Sequence, residues 1–369
     1  MEQTTKYCKS KDIDKIGQYL RRGQLPKYFM TKLPCFKHII KISKEKNSEL
    51  DIQYRGGYIN VYYKGGNLLK LSRQDTVELD EKYFHTPEEN GWRSTHIEIW
   101  RKNKKDINER REFKDLTPLE KKSRHNDAED IYKALCDKRD EVVNKLRQAT
   151  TEQETRIVLK KIMKQIDDWK ECLKQNGWRK STKNERSVQH YISLNNKDFD
   201  EGCDFLVLDI EYAISSLAKY KKDGVEKDSE QPRLDIIAID RDGQLYVMEL
   251  KYGMKSVNNE SGIKPHIEDY YATVGNDSKW QDFNNDVSIL LKRKQIDNLI
   301  PDNLTIANKK PKFAFILKID KDSDEKMFQD KLKENGLCDI PTIYLPKDNT
   351  KEYPSKNYVL SKNLIKLCK

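Results

Sequence analysis

The sequence predicts an α/β (α+β) fold in which helices flank a mixed central sheet in the C-terminal half. A small β-meander and helical N-terminal domain and a charged helical connector precede it. Three observations carry this expectation. Two apolar runs, Pro232 to Asp240 and Gln244 to Lys251, flank the turn Arg241-Asp242-Gly243. Segments of helical and of strand periodicity alternate around those runs. Near the N-terminus, the pairs Gly56-Gly57 and Gly65-Gly66 separate three alternating runs. The expected domains are residues 1–100, 101–177 and 178–369.

In the first domain, Ile13–Arg22 and Met30–Ile42 read as short helices. Leu50–Arg55, Tyr58–Lys64 and Asn67–Ser72 read as a three-stranded meander, with glycine supplying the positive φ of its tight turns. Tyr54, Tyr58, Tyr62 and Tyr63 lie on those strands with Arg55, Lys64, Lys70 and Arg73. Such a surface can stack bases and hold phosphates, but a half-buried sheet with snorkelling lysines is favoured.

Residues 101–176 are dominated by charge of both signs. Ile131, Leu135, Val142 and Leu146, and then Ile157, Ile162, Ile166 and Trp169, keep helical spacing. Solvated i,i+4 pairs account for most of the charge. Asn90-Gly91-Trp92-Arg93 and Asn176-Gly177-Trp178-Arg179 are alike but too short to be a repeat.

The C-terminal half reads as a helix over Thr182–Leu194 and a strand over Phe205–Ile214, then the two runs around the Arg241–Gly243 turn. A helical stretch over Ile263–Leu299 follows, with a break near Gly275–Asp277. After it come a strand over Lys312–Ile319, a helix near Glu325–Asn335, and short strands at Pro341–Leu345 and Tyr358–Leu360.

Hairpin pairing sets the start of one strand beside the end of the next, so Asp235 meets Glu249 and Lys251 at one end of the sheet. Alternation puts Glu249 and Lys251 on the face of Val247 and Leu245, with Tyr246, Met248 and Leu250 on the other. Two acids and a lysine at the rim of an apolar sheet suit a metal ion, a water and a phosphate. On the paired strands, Pro232-x-x-Asp235 followed after fourteen positions by Glu249-x-Lys251 resembles the PD-(D/E)XK nuclease superfamily. The resemblance covers residues 178–320 and extends toward the C-terminus; residues 1–177 resemble no family.

It implies a restriction-endonuclease-like core and a metal-dependent nuclease. Asp235, Glu249 and Lys251 would be catalytic, with Glu185 from the first helix and His266 from the helix after the second strand. The cofactor implied is Mg2+, with Mn2+ able to substitute. Its ligands would be Asp235, Glu249, the carbonyl of Leu250 and Glu211. Lys251 would orient or deprotonate water, or stabilise the phosphate. Glu185 reads equally as the end of a capping box, Thr182-x-x-Glu185. His266, Asp269 and Tyr270 share a helix face. Asp209 and Glu211 are acids within an apolar strand, where pairing or a metal is needed. Asp240 and Asp242 are explained by the turn.

The expected partner is nucleic acid, DNA before RNA, with homodimerisation open, and restriction-type enzymes associate the family with antiviral defence. A non-cleaving nucleic-acid-binding or sensor protein on the same scaffold is the alternative from another class, and an RNase the alternative within it. The excess of 71 basic over 61 acidic residues, +10, suits either. Seven scattered cysteines without a C-x-x-C speak against a zinc ribbon or disulfide framework. No signal-peptide pattern, membrane-length apolar run, P-loop, G-x-S-x-G or H-E-x-x-H occurs, so a cytoplasmic setting without membrane contact is expected.

Overall fold

Apolar periodicity decides where the elements form and which faces they bury. The protein is described here from a computed structural model that places residues 22–25, 33–45, 47–72, 76–79, 136–175, 185–200, 202–213, 233–254, 257, 262–272, 274–348 and 355–368. The described residues form a mixed α/β structure with two sheets. Residues 1–26, 49–66 and 183–369 cluster as one unit, and residues 27–48 and 67–182 as another. The units interleave along the chain, unlike the consecutive division at residues 100 and 177. Among the described residues, no helix is long and apolar enough to cross a membrane.

The second unit contains α1 (Pro34–Ser43), which opens with proline in its first turn, where a missing N–H costs nothing. Strand β3 (Gly66–Ser72) pairs antiparallel with β4 (Val77–Glu78), a strand the sequence did not suggest. Residues 136–148 are helical, and α2 (Glu152–Gln175) follows. Thr151 and Glu154 form a reciprocal cap at its start. The Glu154 N–H donates to Thr151 Oγ1 at 3.2 Å, and Glu154 Oε2 accepts from the Thr150 and Thr151 N–H groups. Along α2, Ile162, Ile166 and Trp169 are buried as their spacing predicts, but Ile157 is 58 % exposed.

In the first unit, β1 (Leu50–Tyr54) and β2 (Tyr58–Tyr63) pair antiparallel. Tyr54, Tyr62 and Tyr63 are buried, so these three offer no face for stacking bases, and the buried-sheet reading holds for them. The larger sheet has the order β10-β9-β8-β7-β6-β5. Its strands are β5 (Phe205–Ala213), β6 (Arg233–Asp240), β7 (Leu245–Tyr252), β8 (Lys312–Lys318), β9 (Thr342–Leu345) and β10 (Ile365–Lys366). β5, β6 and β7 run antiparallel in succession, β7–β8 and β8–β9 are parallel, and β10 returns antiparallel. The strand expected at Tyr358–Leu360 is instead a 3-10 turn over Ser355–Tyr358, and the last strand forms later, at β10.

Helices cover both faces of this sheet. On one, α3 (Glu185–Asn195) places Val188, Tyr191 and Ile192 against Ile236, Met248 and Leu250. On the other lie α4 (Ile263–Ala272), α5 (Trp280–Ile296) and α6 (Asp324–Glu334). Their Ile267, Val287 and Phe328 join Ile237, Val247 and Phe315 in the main core. Each side chain of this size that leaves water contributes about 1.5–3 kcal/mol, so the two faces fix the register of β6 against β7. The β6–β7 turn needs Gly243. Its φ is +80°, and a Cβ there would stand 2.3 Å from the Thr305 carbonyl oxygen. Asp240 completes the turn as expected, accepting from the Asp242 and Gln244 N–H groups at 3.0 Å.

The sequence features at residues 13–21, Met30, Arg73, Asn90 to Arg93, Ile131, Leu135, Asn176 to Arg179, Thr182, Ile214 and Pro232 lie outside the described residues.

Candidate functional site

The β6–β7 register decides which acids meet. Ile236 lies opposite Met248, and the next positions along that ladder are Asp235 and Glu249. Both are on the face that carries Ile237 and Val247. Asp235 Oδ2 accepts a hydrogen bond from the Leu250 N–H at 3.0 Å, which ties the acid to the backbone of the neighbouring strand. From α3, Gln189 Nε2 donates to the Asp235 carbonyl oxygen at 2.5 Å. The apolar stripe of α3 thus delivers a polar anchor to the start of β6.

Glu249 and Lys251 are 4 % and 3 % exposed. Lys251 Nζ donates to Glu249 Oε1 at 2.9 Å. From α4, His266 Nε2 lies 3.2 Å from the same oxygen. Ile267 and Tyr270 enter the core from α4, which leaves the preceding residue, His266, at the rim. Tyr270 is a packing residue whose hydroxyl donates to the Pro311 carbonyl oxygen at 2.5 Å.

Burial, and then the neighbouring charges of Glu249 and Glu185, push the Asp235 carboxyl well above its ordinary value. Burial also raises Glu249, against the opposing pull of Lys251. Glu185, the first residue of α3, therefore acts on both acids. The structure brings four of the candidate catalytic residues together, Asp235, Glu249, Lys251 and His266; of Glu185, the charge reaches the two acids.

Glu211 stands differently. Ile210 lies opposite Ile236 and Tyr212 opposite Leu234, so Glu211 falls beside Asp235 along the strand. Its carboxylate is turned elsewhere: it accepts from the Tyr62 hydroxyl at 3.1 Å and lies 3.8 Å from Arg186. Its backbone is left-handed at φ +51°, a conformation that costs about 1–3 kcal/mol for a residue with a side chain. Asp209 is fully buried between Arg22 and Arg55, and those arginines also donate to the Glu211 and Ile210 carbonyl oxygens at 2.9 Å. The apolar run around Asp209 signals that it needs a partner. The identity of the two arginines, more than 150 residues upstream, has no signal in the sequence.

Among the described residues, no three His, Cys, Asp or Glu side chains converge at metal-holding spacing. The donors that fit a cation are Asp235 and Glu249. Mg2+ commonly takes only one or two carboxylates and fills its remaining positions with water and phosphate oxygens. Two buried carboxyl groups that each resist ionisation are what a divalent cation would relieve. Compared with protein-family models, curated proteins and solved structures, the chain matches none.

Proposed function

We propose that this protein is a metal-dependent nuclease with a restriction-endonuclease-like core, hydrolysing phosphodiester bonds in DNA. The observation that carries the reading is the pairing of Asp235 with Glu249 across β6 and β7, with Lys251 Nζ 2.9 Å from Glu249. Asp235 and Glu249 would hold the cation, with the Leu250 carbonyl oxygen between Glu249 and Lys251 as a further donor. When bound, a divalent cation supplies charge neutralisation at the phosphate and a water of lowered pKa. Lys251 carries the positive charge that faces the phosphate or orients the attacking water. His266 can hold or release a proton at Glu249 Oε1, and Glu185 adds negative charge that favours cation binding. A role in antiviral defence belongs to the same proposal.

The test is a cleavage assay on single- and double-stranded DNA and RNA, with Mg2+ and with Mn2+, comparing wild type with Glu249→Ala. The expected outcome is DNA cleavage that falls by at least about 100-fold in the variant, on the scale of removing a group that stabilises transition-state charge. Full activity in Glu249→Ala would sink the assignment, and cleavage confined to RNA would redirect it.

A second reading, a non-cleaving nucleic-acid-binding protein on the same scaffold, is favoured by one observation. Lys251 Nζ and His266 Nε2 both lie against Glu249 Oε1, at 2.9 and 3.2 Å, where a cation would otherwise sit. Binding to DNA without cleavage under either metal would support it.

A further inference from the structure

Away from the candidate site, two cysteines meet at the β10 edge of the large sheet. Cys338 lies in the connection between α6 and β9, and Cys368 follows β10. The Cys368 N–H donates to the Cys338 carbonyl oxygen at 3.3 Å. A backbone hydrogen bond of this kind sets two Cα atoms at about 5–6 Å, within the span of a disulfide. Burial, and then the neighbouring Cys338 thiol, raise the Cys368 thiol above its ordinary value, which puts the two side chains near each other as well. Both residues are partly exposed and within reach of a small oxidant. Two other cysteines, Cys35 and Cys203, are buried, where access is poor.

We propose that Cys338 and Cys368 are a thiol-modification site that closes to an intramolecular disulfide on reaction with a low-molecular-weight disulfide such as oxidised glutathione. In the first step the Cys338 thiolate attacks one sulfur of the oxidant. The oxidant's S–S bond breaks, a mixed disulfide forms on Cys338, and one small thiol leaves. In the second step Cys368 attacks the Cys338 sulfur and expels the other small thiol. Two protein S–H bonds are lost and one S–S bond is gained, while the oxidant is reduced to two thiols that carry away the two protons. Cys368 gives up its S–H donation to the Gln329 carbonyl oxygen, a contact of 3.2 Å. The cross-link staples the segment after β10 to the connection that leads into β9, thirty positions apart (368 − 338). It thereby pins an edge strand that is only two residues long.

The full chain would be equilibrated with reduced and oxidised glutathione, then alkylated and analysed by intact mass and peptide mapping. The expected product has lost the mass of two hydrogens, alkylates five of its seven cysteines, and yields a peptide linking Cys338 to Cys368. Hydrogen exchange over residues 362–368 is expected to slow on oxidation. Cys368→Ser is expected to stop at the mixed disulfide on Cys338. Seven alkylated cysteines, a link that uses Cys35, Cys136 or Cys203 instead, or glutathione adducts on wild type without the cross-link would each overturn the proposal. None of these readouts depends on nuclease activity.

Discussion

Asp235 shows how a single residue records what its surroundings require. Its carboxyl is raised by burial and by two neighbouring acids, and Glu249 is raised with it. The folded chain therefore holds more protons than the unfolded one, from the ordinary carboxylate range up to the raised folded values. Stability in the absence of a cation falls as pH rises through that window. Asp235→Asn removes one of the repelling charges and keeps an oxygen for the Leu250 N–H. Its melting temperature at pH 8 without divalent cations is expected to exceed that of wild type by about 2–4 °C, and the advantage should vanish near pH 4. Scanning calorimetry at the two pH values checks this, and equal melting curves at pH 8 would count against strain at the pair. The positions of Asp235, Glu249 and Lys251 were legible because strand alternation and one turn are enough to place them. Glu211 was not fully legible. Its strand neighbour could be inferred, but the turn of its carboxylate toward Tyr62 depends on a hairpin distant in sequence.

At the scale of elements, the turn glycine governs the site from a distance. Gly243 lies at the far end of the hairpin from Asp235, yet it fixes which residue of β7 faces which residue of β6. Gly243→Ala would drive a Cβ to 2.3 Å from the Thr305 carbonyl oxygen at a φ of +80°. A loss of about 1–3 kcal/mol is expected, readable as a lower urea midpoint with an unchanged m-value. Wild-type stability would show that the loop at Thr305 yields freely. The elements themselves were largely readable from the sequence, including the break between α4 and α5, because their apolar periods are long. The short edge elements were not. Residues 358–360 have strand-like composition, but the ladder bonds at the sheet edge go to Ile365 and Lys366. Two residues carry too little pattern to announce themselves.

At the scale of the whole molecule, the proposed cation site would link metal binding to folding. A divalent cation that bound only the folded chain would raise its stability by mass action, and at the proposed site it would compete with protons for Asp235 and Glu249. The rise in melting temperature with millimolar Mg2+ is expected to be larger at pH 8 than at pH 5, and to disappear in a chain carrying both Asp235→Asn and Glu249→Gln. Differential scanning fluorimetry checks both statements, and an equal rise in the double variant would place the cation elsewhere.

The interleaving of the two units has a consequence during synthesis. The ribosome delivers Arg55 154 residues before the Asp209 it grips. At about 5–20 residues per second, that arginine emerges roughly 8–30 s ahead of its partner. The β1–β2 hairpin must wait through the making of residues 67–182, the larger part of the other unit, before the sheet it serves exists. A ribosome that stalled in that interval would hold out a hairpin whose charged groups have nothing to close on, a natural target for chaperones and proteases.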